Sequence, residues 1–288
     1  MKKRFIKIFE LLISLSVTLG FIYLFYKVIG IEKFLKFFSE LNPLNILTAF
    51  LLYTGSYITR AFRWKIVLSI KEFKKLFKIT AYNTVFNIFL PFRTGEISFF
   101  YMLKKENIPL SETAVSFFSV RVFDAISLFS VFGISLFLFW GKPVLSMLVF
   151  ILAPFSFLFF QILLRYIKHE KVQEFGKTKL NLKNISALYL LSVFTFLLKF
   201  TAFYLVLPEG IDLSFTEAFL ASSAGDITTI LPIHGIAGIG TYEGGYAGIL
   251  VLFGIDKQTA ILGSVFVHIF MLIGSAVIAG FSYIFLRK

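Results

Sequence analysis

The sequence predicts an all-α, polytopic membrane protein, and composition is the main reason. Of its 288 residues, 58% are hydrophobic and 16% are charged, whereas about a quarter of the residues in a soluble domain are charged. Apolar runs of roughly 20 residues, enough for a helix to cross a hydrocarbon core, recur along the chain. We therefore expect a single transmembrane domain, residues 1–288, with about six full transmembrane helices and two re-entrant helical hairpins in an inverted repeat.

The full spans are assigned where the long apolar runs occur. Residues 1–40 are expected to form a retained N-terminal helix and an amphipathic helix in the membrane interface, because the first apolar run is too long for a signal peptide. The spans are predicted at about 8–29, 44–64, 111–140, 144–165, 185–207 and 259–286.

Two apolar segments are too short to cross the membrane and indicate re-entrant hairpins. The first, 79–92, has 14 residues and is followed by an amphipathic return arm, 96–103. The second, 218–231, ends before a glycine-rich stretch and a short arm that reaches Phe253. Runs of about 10–14 apolar residues are typical of such segments. The residues expected at the hairpin tips are Asn83, Asn87, Pro91, Gly95, Pro232, Gly238 and Gly240.

The charge pattern predicts the orientation. The net charge is +13, and Lys and Arg cluster in short segments such as 63–78 and 165–183. This matches the positive-inside bias of membrane proteins, and no nucleic-acid motif is present. We expect a cell (cytoplasmic or inner) membrane protein with both termini cytoplasmic and the acidic segment 209–217 outside. With no cysteine and three scattered histidines, we expect no metal site and no cofactor.

Two parts of the chain, about 41–140 and 180–286, resemble each other. Leu41-Asn42-x-x-Asn45-Ile46 matches Leu180-Asn181-x-x-Asn184-Ile185, and Leu90-Pro91 matches Leu231-Pro232. Chance matching of Phe- and Leu-rich segments is the alternative explanation. Because an odd number of crossings separates the copies, the second would be inverted, as in many transporters.

Ionisable residues at membrane depth are the first candidates for function because burying them is costly. Arg121 and Asp124 lie three residues apart in a long apolar span, either as a self-neutralising structural pair or as a phosphate-binding Arg oriented by Asp. Arg60 and Arg63 lie one turn apart near the end of another span. Either arginine could be a functional cation or could extend its side chain to the membrane surface, and surface extension is favoured for Arg63. Lys199 occupies the position equivalent to Arg60 in the second copy.

The hairpins add further candidates. Arg93 and Glu96 flank the first tip, where free backbone N–H groups and a guanidinium would suit an anion, although the two side chains could simply pair with each other. Glu243 lies after the second tip. Asp226 is expected to titrate and couple an ion, or to be a hydrogen-bonded structural acid. The predicted substrate-binding residues are Arg60, Arg93, Glu96, Arg121, Asp124, Lys199 and Glu243.

The ordered set of motifs resembles the transmembrane, flippase-like family of lysylphosphatidylglycerol synthases. The motifs are Arg60-Ala-Phe-Arg63-Trp64, Asn83…Asn87…Pro91-Phe-Arg93-Thr-Gly95-Glu96, Arg121-x-x-Asp124 and Pro232…Gly238-Ile-Gly240-Thr-x-Glu243. In bacterial multiple peptide resistance factors, such a domain is associated with flipping aminoacylated phosphatidylglycerol and is fused to a soluble aminoacyl transferase. The late glycine motif departs from the family pattern at Ile233-His234.

The resemblance implies lipid transport without synthesis, because the longest polar stretch, 168–183, has only 16 residues. We expect a non-enzymatic flippase-type transporter that moves an anionic, aminoacylated or polyprenyl-linked lipid between leaflets. The alternatives are a membrane-embedded transferase acting on a lipid-linked substrate and a scaffold for a lipid-modifying enzyme. The expected partner is a membrane lipid. Two further partners are left open: a separately encoded lipid-modifying enzyme, and a second copy of the chain in a homodimer.

Overall fold

The computed structural model describes residues 2–90, 95–156, 166, 170–229 and 235–286. These residues form helices and no strands, which confirms the all-α prediction. Two 3₁₀ turns, Ala153–Phe155 and Ile236–Gly238, lie between helices. The α-helices of the described residues are α1 (Lys2–Val28), α2 (Ile31–Ser39), α3 (Pro43–Val67), α4 (Phe73–Phe89), α5 (Glu96–Lys105), α6 (Leu110–Phe139), α7 (Pro143–Leu152), α8 (Glu170–Lys179), α9 (Leu182–Leu205), α10 (Phe215–Thr228), α11 (Thr241–Leu252) and α12 (Lys257–Phe285).

Four helices in the described part of the chain are long and apolar enough to cross a membrane, namely α1, α6, α9 and α12. They coincide with four of the predicted spans. Helix α3 covers the predicted span at 44–64 but is not among the four, because Thr, Ser and Tyr residues and two arginines interrupt its apolar sequence. Of the predicted span at 144–165, residues 157–165 lie outside the described residues, and the remainder forms α7 and a 3₁₀ turn.

Helices α10 and α11 form a helical hairpin at the position of the second predicted one. Its two arms pack closely: a Cβ on Gly225 of α10 would lie only 2.8 Å from Cε2 of Tyr242 on α11. The connection contains Gly238 and Gly240 with φ of 80° and 91°, a left-handed region that glycine adopts without strain. Ala237 also has a positive φ, 54°.

The segment of the first predicted hairpin forms α4 and α5. Gly95 lies against the backbone of Phe86 and Asn87, so a side chain at position 95 would collide with α4. Glycine is therefore required where the chain returns to the helix. Pro91, Arg93 and Pro232, three of the predicted tip and binding residues, lie outside the described residues.

The contacts divide the chain into two compact units. The first unit comprises Met1–Leu51, Thr84–Glu96 and Phe200–Val277, and includes the α10–α11 hairpin. The second unit comprises Leu52–Asn83, Ile97–Lys199 and Ile278–Lys288, and includes α6 with the charged part of α3.

Candidate functional site

In the second unit, α3 and α9 pack antiparallel through small and hydroxyl side chains. Thr59 Oγ1 lies 2.7 Å from Thr195 Oγ1. A Cβ on Gly55 would lie 3.3 Å from Cδ1 of Leu198. Small residues let helix backbones approach closely in membranes, and hydroxyl groups add hydrogen bonds across the interface. This packing fixes the part of α3 that carries the arginines.

Arg63 is buried between three helices. Its side chain is 3% exposed, and its Nη1 donates hydrogen bonds to Asp124 Oδ1 on α6 and, at 2.6 Å, to Ser192 Oγ on α9. A buried charge is tolerated when it is paired and hydrogen-bonded. The structure therefore makes Arg63 an interhelical anchor, whereas the sequence favoured a residue that snorkels to the surface.

Two further cations surround the same carboxylate. Arg121 Nη1 lies 3.7 Å from Asp124 Oδ2, and its guanidinium lies 4.9 Å from the Phe117 ring centroid. Arg60 stacks over Tyr57 at 5.7 Å and acts electrostatically on both Arg63 and Asp124. Two guanidinium groups thus contact Asp124 directly, and the third, Arg60, lies one helical turn from Arg63. We call these four residues, Arg60, Arg63, Arg121 and Asp124, the guanidinium cluster.

Exposure differs within the guanidinium cluster. The side chains of Arg121 and Asp124 are 34% and 22% exposed, while Arg63 is almost fully enclosed. Since one arginine is locked and Arg121 remains accessible, an external anion can reach the cluster at Arg121. A guanidinium offers phosphate two parallel hydrogen bonds, which makes it well suited to a lipid phosphate.

An apolar groove of about 580 Å³ begins one residue beyond Asp124. Helix α6 lines it from Ala125 to Phe137, and α7 with the following 3₁₀ turn lines the other side. Its α6 wall is roughly 18 Å long at 1.5 Å per residue. Ala125 and Phe129 lie one and two turns after Arg121, so the groove adjoins the face of α6 that carries Arg121. Asp124, one position before Ala125, points to a different face of the helix.

In the first unit, Glu243 and His268 form a buried pair. Glu243 Oε1 lies 2.6 Å from His268 Nδ1, and the two side chains are 4% and 2% exposed. Glu243 Oε2 accepts a hydrogen bond from the Gly240 N–H at 2.7 Å. His268 Nε2 lies 3.0 Å from the carbonyl oxygen of Ala237. The pair therefore joins α11 and α12 to the connection between α10 and α11.

Threonine side chains hold the same connection. Thr18 on α1 accepts a hydrogen bond from the Ile236 N–H at 2.8 Å. Thr241 Oγ1 donates to the Gly238 carbonyl at 3.0 Å. Thr228 Oγ1 donates to the Thr241 carbonyl at 2.9 Å. Residues 235–241, which we call the break, are thus held by side chains from α1, α10, α11 and α12.

The structure brings together only some of the predicted binding residues. Arg60, Arg121 and Asp124 belong to the guanidinium cluster, and Lys199 lies two turns after Ser192 on α9, 6% exposed. Glu243 lies in the first unit, and its described partners are His268 and the Gly240 N–H. Asp226 is buried on α10 in the same unit.

The predicted residues of the first hairpin have different environments. Glu96 begins α5 and is half-buried. Asn83 is buried on α4. Asn87, further along α4, has an Oδ1 with no hydrogen-bond partner among the described residues.

Sequence reasoning missed two functional contacts. Arg63 was visible as an ionisable residue near a span, but only its partners on α6 and α9 show that it is buried. His268 is one of three scattered histidines in the sequence, and only the structure shows its contacts with Glu243 and Ala237. Its link to the break depends on contacts 25 and 31 residues away in sequence.

The fold defines a polytopic helical membrane protein, and its second unit holds a cluster of three arginines and one aspartate. The chain matches the sequence model of the lysylphosphatidylglycerol synthase TM region over residues 11–279, and it belongs to that family. This confirms the resemblance seen in the motifs and indicates a function related to membrane lipids. No curated protein matches the chain significantly.

Proposed function

We propose that the protein moves a lipid with an anionic headgroup between the leaflets of the cell membrane and catalyses no covalent step. The observation that carries the proposal is the guanidinium cluster, where two arginines contact one carboxylate and a third lies a helical turn away, in a chain of a lipid-related membrane family. Charge of one sign at membrane depth is costly unless a partner compensates for it. A lipid phosphate or carboxylate would supply that compensation.

Each member of the guanidinium cluster has a distinct part in the proposal. Arg63, locked by Asp124 and Ser192, fixes the relative positions of α3, α6 and α9. Asp124 orients Arg121 and lowers the cost of holding it near apolar surroundings. Arg121 and Arg60 then bind the headgroup, because their side chains are only partly enclosed.

The apolar groove on α6 and α7 is assigned to one hydrocarbon chain of the same lipid. Its lining is almost entirely apolar, with Ser130 and Ser156 as the polar exceptions. Its first residue, Ala125, lies one helical turn after Arg121 on the same face of α6, so a headgroup at Arg121 would place its hydrocarbon chain at the start of the groove. An acyl or prenyl chain fits this surface, and an aqueous metabolite does not.

Lipid movement in proteoliposomes tests the proposal. Fluorescent phosphatidylglycerol, an aminoacylated analogue and a polyprenyl phosphate are compared for the wild type, Arg121→Gln and Lys142→Gln, the last removing an exposed cation from the turn before α7. Removing one partner of a buried charge contact costs about 2–5 kcal/mol. We therefore expect Arg121→Gln to slow movement of the substrate lipid at least about tenfold, and Lys142→Gln to leave it unchanged.

Three other results would count against parts of the proposal. Unchanged movement in both Arg121→Gln and Arg60→Gln would overturn the site. An equal loss of lipid movement in Lys142→Gln would mean that the Arg121→Gln result reflects only the loss of a surface charge. No movement of any lipid by folded wild type would overturn transport and favour the transferase or the scaffold, which purified protein with labelled donors and partner enzymes would then distinguish.

The proposed topology has six crossings and two re-entrant hairpins, with both termini in the cytoplasm. It is supported by the basic residues from the end of α3 to the start of α4, among them Lys65, Lys71, Lys74 and Lys75, and by the acidic residues after α9. Because the chain has no cysteine, Lys71→Cys and Glu209→Cys each introduce a single exposed thiol. A membrane-impermeant reagent is expected to label Glu209→Cys in intact cells and Lys71→Cys only after permeabilisation. Labelling of both from one side would contradict this topology.

A further inference from the structure

Both ring nitrogens of His268 have hydrogen-bond contacts. Together these contacts determine how many protons His268 and Glu243 bind. The Ala237 carbonyl oxygen can only accept, so Nε2, 3.0 Å away, carries a proton. Nδ1 and Glu243 Oε1 lie 2.6 Å apart, and such a distance requires a proton between them. A neutral histidine and an ionised glutamate together supply only one of these two protons.

We infer that Glu243 and His268 form a proton-binding site that closes the break between α10 and α11. The pair holds one proton more than neutral His268 and ionised Glu243 would carry. The extra proton resides either on the imidazole, as an imidazolium–carboxylate pair, or on Glu243. The pair is neutral in total in both states, which is consistent with its enclosure.

Loss of that proton must break one of the two contacts. A ring with one proton can donate to Ala237 or to Glu243, and its other nitrogen then presents a lone pair to an acceptor. Because the carboxylate is charged, it competes better for the remaining proton, so the Ala237 contact is lost. Ala237 is a non-glycine residue with φ of 54°, an unfavourable conformation that persists only while its surroundings hold it. Deprotonation therefore loosens the break.

Few other groups around the pair can titrate. Helix α11 contributes Tyr242, whose ring centroid lies 4.9 Å from that of His268, and the buried Tyr246. Helix α10 carries one buried acid, Asp226. Helix α1 contributes Thr18, and no charged side chain, to the described contacts of the break. Asp226 is therefore the competing carboxyl group that a test must separate from Glu243.

Glu243→Gln is a matched variant for this site. The amide oxygen can accept from the Gly240 N–H, and the amide nitrogen can donate to Nδ1 of a neutral His268. His268 Nε2 then still donates to Ala237. All the described hydrogen bonds of the pair are kept and the exchangeable proton is removed, so the break should stay closed at every pH.

Spectroscopy counts the protons directly. The parent for this measurement is His169→Asn/His234→Asn in lipid nanodiscs, in which His268 is the only histidine. Nitrogen-15 NMR reports the ring protons, and infrared spectroscopy reports protonated carboxyl groups. A doubly protonated ring, or a singly protonated ring with a carboxyl band that Glu243→Gln removes, supports the inference. A singly protonated ring without such a band overturns it.

Thiol labelling measures the closure of the break. Ile239→Cys places the only thiol of the chain at a half-buried position of the break, and Leu252→Cys, at an 80% exposed position, corrects for the pH dependence of thiol reactivity. The ratio of the two labelling rates is expected to rise with pH, because release of the shared proton opens the break. Glu243→Gln should abolish this rise, and Asp226→Asn should preserve it.

Thr18→Val is the remaining control, because it removes the α1 contact with Ile236 and no titrating group. It should raise labelling at every pH and leave the slope unchanged. A ratio that does not change with pH overturns the inference, as does an unchanged slope in Glu243→Gln. If Asp226→Asn abolishes the pH dependence of the labelling ratio, the titrating group is Asp226 on α10 and the inference is overturned. None of these readouts requires lipid transport, so they stand or fall separately from the proposed function.

Discussion

The two units use ionisable side chains in opposite ways. The guanidinium cluster of the second unit has more cations than anions and is partly exposed at Arg121. The Glu243–His268 pair of the first unit matches one acid with one base and is almost fully enclosed. An excess of one charge with access from outside suits an exchangeable ligand. An enclosed pair whose atoms also contact the backbone suits a connection between helices. The comparison separates the proposed binding site from the pair that holds the break.

The largest expected effect is in the second unit, where Asp124→Asn removes the anion that Arg63 and Arg121 contact. Arg63 would remain buried without its charged partner, and breaking a buried pair from one side costs about 3 kcal/mol or more. Unfolding by SDS titration in mixed micelles measures the change in free energy. If Arg63 depends on Asp124, the double variant Arg63→Gln/Asp124→Asn should lose less free energy of unfolding than the sum of the losses in the two single variants. Strict additivity would show that Arg63 and Asp124 do not depend on each other.

The next effect tests whether the first unit is held by close packing. Gly225→Ala would place a Cβ 2.8 Å from the Tyr242 ring, and overpacking of this kind costs about 1–3 kcal/mol. Gly244→Ala makes the same substitution on α11 with no atom within 4 Å, and it should stabilise the helix by about 0.5–1 kcal/mol. The same unfolding assay measures both. Equal effects of the two substitutions would mean that the α10–α11 contact contributes little.

The smallest effect concerns Asp256, which caps α12 in the first unit. Its Oδ2 accepts from the N–H groups of Gln258 and Thr259 at 2.9 and 3.0 Å. Asp256→Ala should cost about 1 kcal/mol at neutral pH. The backbone hydrogen bond from Thr259 holds the pKa of Asp256 below its usual value. Its stabilisation is therefore full above the unfolded pKa of about 3.9 and is lost as the pH falls through the lower folded value.

Asp256→Asn is the matched control, since asparagine caps a helix without titrating. Unfolding measured from pH 7 to pH 3 should show the Ala penalty shrinking in acid and the Asn variant remaining stable throughout. A penalty that grows in acid would contradict the assignment. The result also separates an exposed titrating cap, whose stabilisation is lost only in acid, from the enclosed Glu243–His268 pair.

The long apolar helices could be predicted from sequence because length and hydropathy are local properties. Helices α6, α9 and α12 lie within one to three residues of their predicted bounds. Asn42 and Asn181, from the matched segments of the predicted repeat, accept backbone hydrogen bonds at the starts of α3 and α9. Part of the sequence similarity is therefore helix-capping chemistry, while the inverted repeat itself stays a prediction.

The sites were less predictable because their partners are far apart in sequence. Arg121 and Asp124 were recognisable, since both lie on one helix at i and i+3. The role of Arg63 depends on Asp124 and Ser192, which are 61 and 129 residues away. The proton count at His268 depends on the conformation of a glycine-rich connection, which hydropathy does not report.

The burial of Arg63 also constrains the order in which the protein is made. Helix α3 is synthesised well before α6 and α9, and it is not one of the helices that are apolar enough to cross a membrane unaided. The described hydrogen-bond partners of Arg63, Asp124 and Ser192, are both synthesised after it. We therefore expect the early helix to insert fully only when these later helices are present. Chains truncated before α6 should therefore leave α3 accessible from the aqueous side, which makes insertion of this protein a cooperative, late event.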